Sequence, residues 1–87
     1  MSRKAKRLLE KARRTKAGWM PGDLIALYEG FGFIIREGRG SHKFVSHPQH
    51  PKLSATFPDS GKELPKAYIS KALRNIEAVL KETGSDD

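Results

Sequence analysis

The stretch Arg36-Glu37-Gly38-Arg39-Gly40-Ser41-His42-Lys43 concentrates the reactive potential of this chain. Its two glycines let a backbone approach a ligand closely and present N–H groups to it, and three basic side chains surround them. His42 stands where the glycine-rich segment gives way to a strand, so a rigid element would hold an acid/base group beside a phosphate. An imidazole, with an unperturbed pKa of about 6.5, has both protonation states within reach at neutrality. The same residues also fit a plain hairpin turn carrying a surface histidine, and spacing alone leaves that alternative open.

Other constellations carry less. Ser41 and His42 are adjacent, so on a strand their side chains diverge, which argues against a serine–histidine nucleophile pair. Ser41 is left to bond a phosphate or to close the turn. His42, His47 and His50 make a poor metal set. Positions 42 and 47 face opposite ways on a regular strand, His50 lies between Pro48 and Pro51, and Glu37 and Asp59 have no ligand spacing to them, so no metal is expected. Tyr28 and Tyr68 sit at helical spacing among aliphatic residues and read as core. Lys62 and Lys66 flank the start of the last helix, where backbone N–H groups favour anions, though two solvated lysines explain them equally.

The elements that must position these residues follow from periodicity. Ala5, Leu8, Leu9 and Ala12 recur at i, i+3, i+4 and i+7, a narrow helical stripe in a segment that docks or frays, because so short a helix is marginal alone. Gly18 closes it, and Trp19-Met20 forms an apolar hinge. Pro21 suits the first position of a second helix with Asp23 in its first turn, Leu24, Ile25, Leu27, Tyr28 and Phe31 on its apolar face, and Gly30 or Gly32 at its end. Phe33–Arg36, His42–His47 and Leu53–Phe57 read as three strands, the last two stopped by Pro48 and Pro58. Their short connections require an antiparallel meander. Pro65 opens a last helix with Tyr68, Ile69, Ala72, Leu73, Ile76, Val79 and Leu80 on its face and Gly84 at its end. The expected fold is α+β: a three-stranded antiparallel sheet with helices on one face, in the order α-β-β-β-α after an additional basic helix.

Charge divides the chain sharply. Its 87 residues carry a formal net charge of +7. Residues 1–16 hold eight basic side chains and one acid, Glu10, while the remainder holds nine of each sign. The net charge therefore belongs to an N-terminal arm on a neutral body. Such an arm attracts nucleic acid, an anionic membrane surface or an acidic partner. This gives three expected segments: a basic arm over 1–18, a folded domain over 19–84 and an acidic tail over 85–87. The chain has no cysteine, which excludes disulfides, thiolate zinc sites and thiol nucleophiles. Its length does not suit an enzyme with a deep cleft. No apolar run reaches the roughly 18 residues of a membrane span, and Met1-Ser2-Arg3-Lys4 leads into charge rather than an apolar stretch, so a cytoplasmic protein without membrane attachment is expected.

Taken in order, the helix closing on Gly32-Phe33, Gly40-Ser41-His42, His47-Pro48, the strand ending at Pro58 and Leu64-Pro65-Lys66 resemble the HicA (YcfA-like) family, the toxins of HicA–HicB toxin–antitoxin systems. The likeness covers roughly residues 20–80, and the arm looks like the N-terminal extension of longer members. It implies a fold like that of double-stranded-RNA-binding domains and an mRNA endoribonuclease (mRNA interferase) whose catalytic residue is His42. It also implies a HicB-type antitoxin that covers this site.

With one candidate catalytic histidine, no thiol and no metal set, the simplest chemistry uses RNA's own 2′-hydroxyl as nucleophile. His42 then serves as general base on that hydroxyl or general acid on the leaving oxygen. Arg39 and Lys43, with the N–H groups around Gly40 and Ser41, offset the charge growing on the phosphate, and Lys66 anchors a neighbouring one. No cofactor is needed. Asp59, just after Pro58, is an acid that repels phosphate. Two other readings stand beside this one: a non-catalytic RNA-binding module of the same fold, and an interaction subunit inactive alone.

Overall fold

A computed structural model describes residues 3–82; the expected stop at Gly84 and the tail over 85–87 lie outside the described residues. The elements are α1 (Arg3–Arg14), α2 (Pro21–Gly30), β1 (Ile34–Glu37), β2 (His42–Ser46), β3 (Ala55–Pro58) and α3 (Lys66–Glu82). The strands form one antiparallel sheet in the order β1-β2-β3. The expected α-β-β-β-α order and α+β class are those of the structure. Among the described residues, no helix is long and apolar enough to cross a membrane.

The first helix docks. Ala5, Leu9 and Ala12 are buried and Leu8 is half-buried, against α2 and α3. Burying a leucine such as Leu9 contributes about 2 kcal/mol, which offsets the weak intrinsic stability of so short and so charged a helix. Gly30 makes the contact possible: a Cβ there would lie 2.2 Å from the Cβ of Ala5. Gly30 therefore stays helical, and Gly32, at φ +88°, is the residue that turns the chain out of α2. At the other end of α2, the Asp23 carboxylate accepts the Met20 N–H at 3.2 Å, beside Pro21 at the first position.

Trp19, expected as a hinge, is a core residue with no exposed surface. Its indole N–H donates to the Thr15 carbonyl at 3.1 Å, and its own carbonyl accepts the Leu64 N–H at 2.7 Å. The Gly18 N–H donates to Glu63 at 2.9 Å, so the segment between α1 and α2 is tied to the approach to α3. Around Trp19 the core gathers Leu24, Leu27, Tyr28, Phe33, Val45, Phe57, Ile69, Ala72 and Ile76. Tyr28 meets Phe33 edge-on, with ring centroids 4.9 Å apart, and lies parallel to Phe57. Burial pushes the Tyr28 hydroxyl up to about 12, and Asn75, buried on α3, lies 3.5 Å from it and pulls the other way. Tyr68, expected in the core, is only half-buried.

Each strand differs from expectation at one end or both: β1 reaches Glu37, and β2 stops at Ser46, before His47. Phe33 stays outside β1: its N–H donates to the Tyr28 carbonyl at 3.1 Å at the end of α2, and its ring packs on Tyr28. The third strand begins at Ala55 and includes Pro58; Leu53 instead donates its N–H to the His50 carbonyl at 2.9 Å in a turn. Pro58 is tolerated because β3 is an edge strand and the residue is its last, where a missing N–H costs no ladder bond.

Candidate active site

The register settles which side of the sheet each residue takes. Val45 and Phe57 are fully buried, so the alternate positions His42, Phe44, Arg36 and Thr56 share the face turned away from the helices. All four are exposed, and with Glu37, Gly38, Arg39 and Lys43 they line a cleft of about 560 Å³.

The β1–β2 connection holds His42 at the rim of this cleft. Gly40, at φ +59°, is the first central residue of a turn in which the His42 N–H donates to the Arg39 carbonyl at 3.0 Å. The Gly38 N–H donates to the His42 carbonyl at 2.8 Å, and a Cβ at Gly38 would come within 3.1 Å of that oxygen. The glycines thus serve two local needs, a positive φ and a close backbone approach. The Asp59 N–H donates to the Ser41 carbonyl at 2.7 Å, fastening the turn to the chain leaving β3. The Gly40 and Ser41 N–H groups have no acceptor among the described residues, nor does the His42 ring have a hydrogen-bond partner there.

Lys43 borders the same cleft, but its ammonium does not join the His42 ring. It faces the other side of β2, as adjacent strand residues must, where its ammonium bonds Glu37 and lies 3.5 Å from Asp59. The hydrogen bond to Glu37 chiefly, with Asp59 behind it, raises the Lys43 pKa. The ammonium thus forms a clamp joining β1, β2 and the segment after β3. Asp59 shares that ammonium with Glu37 and does not line the cleft. Lys66 is exposed at the start of α3 and does not line the cleft. The turn thus brings together Arg39, Gly40, Ser41 and His42, with the Lys43 ammonium engaged by Glu37 and Lys66 apart.

The other histidines have different employment. His47 is buried; its Nδ1 accepts the Gln49 N–H and its Nε2 lies 3.2 Å from the Phe31 carbonyl, so the hydrogen of this ring sits on Nε2. It also abuts Gly32, where a Cβ would be 3.0 Å from Nε2. His47 thus secures the exit from α2, and His50 packs on it with centroids 4.8 Å apart. Among the described residues no three of His, Asp and Glu gather as a metal-ligand set.

Phe44 and Thr56 belong to the cleft but were not among the candidates. Their period-two spacing from His42 and Pro58 was the available signal. Adjacent apolar pairs, Ile34-Ile35 and Phe44-Val45, concealed which member of each faces inward.

A model of the family described as HicA toxin of bacterial toxin–antitoxin matches residues 22–84, which leaves α1 outside the match. Comparison with curated proteins and with solved structures gives no match.

Proposed function

The chain belongs to the HicA toxin family of bacterial toxin–antitoxin systems, and from that premise we propose that it is an mRNA endoribonuclease with His42 as its catalytic residue. The observation that carries this reading is an exposed imidazole with no hydrogen-bond partner among the described residues, at the rim of a cleft bordered by Arg36 and Arg39. No group among the described residues bonds this ring, whereas both nitrogens of His47 are engaged.

The 2′-oxygen attacks the adjacent phosphorus, the bond from phosphorus to the 5′-oxygen breaks, and a 2′,3′-cyclic phosphate and a 5′-hydroxyl result. His42 either takes the proton of the nucleophile or gives one to the leaving oxygen, and water carries the other proton. The Gly40 and Ser41 N–H groups and the Arg39 guanidinium face the charge that grows on the phosphate. Lys43 acts indirectly, drawing Glu37 and Asp59 together and offsetting one of their two negative charges. Lys66, away from the cleft, is assigned to a phosphate further along the strand. A HicB-type antitoxin neutralises the toxin by covering the His42 cleft, which leaves no room for RNA.

The test is incubation with a long unstructured RNA, with and without EDTA, followed by analysis of the fragment ends. Cleavage confined to RNA, indifferent to chelator and leaving cyclic phosphate or 3′-phosphate is the expected result. A 3′-hydroxyl end, or cleavage of DNA, overturns the mechanism. Binding without cleavage favours the non-catalytic RNA-binding module.

The basic arm adds affinity rather than chemistry. Arg3, Arg7 and Arg14 are exposed on the face of α1 opposite Ala5, Leu9 and Ala12, with no carboxylate partner among the described residues. Truncation would strip Leu9 from the core, so substitution is the cleaner probe. Changing all three arginines to glutamine is expected to reduce the slope of log affinity for single-stranded RNA against log salt by about 2, as three fewer counterions are released. An unchanged slope assigns the ridge to another partner.

A further inference from the structure

Phe44 is the residue of the open face that the proton transfer leaves unused. It is 42% exposed on the central strand, between its Cα partners Arg36 on β1 and Thr56 on β3. Val45 already supplies the inward contact at this point of β2, so the core has no need of the Phe44 ring. Leaving a phenyl group in water forgoes the stabilisation that burial brings. Two residues along the strand, about 6.6 Å away, stands His42.

We infer that Phe44 is the stacking platform for one unpaired base of the RNA, next to the phosphate on which His42 works. The inference rests on the endoribonuclease reading for the identity of its ligand. An aromatic ring set among cationic side chains is the general form of a single-strand site, because the ring takes the flat face of a base while the cations take the phosphates beside it. Here Arg36 and Arg39 are the cations and Thr56 bounds the base from the other strand. Ile34, 40% exposed, shares this face, and the cations beside the Phe44 ring are what favour RNA as its ligand in the free toxin. Duplex RNA keeps its bases stacked within the helix and cannot offer one, so the platform selects single strands. One ring discriminates little among bases, and the preference it confers is for unpaired nucleotides rather than for a sequence.

The test compares two uncleavable octamers of equal charge: 2′-O-methyl oligouridylate, and the same backbone bearing abasic spacers. The wild-type protein is expected to bind the base-bearing octamer about tenfold more tightly. Phe44→Leu, which keeps an apolar side chain on an exposed strand position, should lose that preference with an unchanged melting temperature. Phe44→Tyr should retain it. A wild-type protein that does not distinguish the octamers, or a Phe44→Leu variant that still does, overturns the platform. Parallel incubation with unmodified RNA separates the two ideas. Preference for bases without cleavage keeps the platform and sinks the nuclease; cleavage without preference does the reverse.

Discussion

His42→Ala is expected to lower the rate of RNA cleavage by about 10²–10⁴-fold, the usual contribution of a positioned acid or base, while leaving the melting temperature within a few degrees of the parent. Both halves follow from the surroundings of the ring. It is exposed and bonds to no side chain or backbone group among the described residues, so its removal opens no cavity and orphans no buried donor. The main chain at this position carries the structural duties instead, through the Arg39 and Gly38 hydrogen bonds, and alanine keeps them. Retained affinity for RNA in the variant would complete the pattern, since the guanidinium groups and the turn amides remain. A variant that cleaves at the parental rate removes His42 from the mechanism. One that melts far below the parent shows the ring to be structural, contrary to its exposure. His47 provides the opposite control, because its ring is buried against the α2 exit and serves the fold.

The order of elements was legible because the punctuation is strong: Pro21, Pro48 and Pro65 mark ends that few alternatives satisfy, and a glycine-rich segment separates two strands. The location of His42 at a junction of loop and strand was legible for the same reason. What the residues withheld depends on contacts remote in sequence. Consecutive apolar residues break the period of two in β1 and β2, so the side of the sheet occupied by His42 emerges only when Val45 and Phe57 are found in the core. Lys43 and Asp59 read separately as a phosphate ligand and a phosphate repellent; across the sheet they compensate each other. Gly30 looked like a helix terminator and is a contact surface for Ala5. Asn75 interrupts an apolar helix face with no local reason, and its partner, the Tyr28 hydroxyl, lies 47 positions away. In each case the missing information was a pairing, not a propensity.

Trp19 yields the second large effect, on stability rather than rate. Its fully buried indole packs where α1, α2 and the approach to α3 converge, the Lys11 ammonium lies 4.8 Å from the ring centroid, and the indole N–H is bonded to Thr15. Truncation to alanine leaves a cavity the size of the ring system, at a cost of about 3–5 kcal/mol. Small domains hold only about 5–15 kcal/mol in total. The melting temperature of Trp19→Ala should therefore fall on the order of 20 °C, and calorimetry or circular dichroism would measure it. Trp19→Phe, retaining most of the apolar volume, should fall much less. Below its own transition the alanine variant should cleave RNA like the parent, since the His42 cleft lies on the opposite face of the sheet from the helices. The contrast also tests how the basic arm is joined to the remainder. If α1 belongs to the same cooperative unit, Trp19→Ala lowers a single transition, and charge substitutions on its exposed face leave that transition in place. Two separate transitions, or a drop of only a few degrees, would mean that the body folds without the arm.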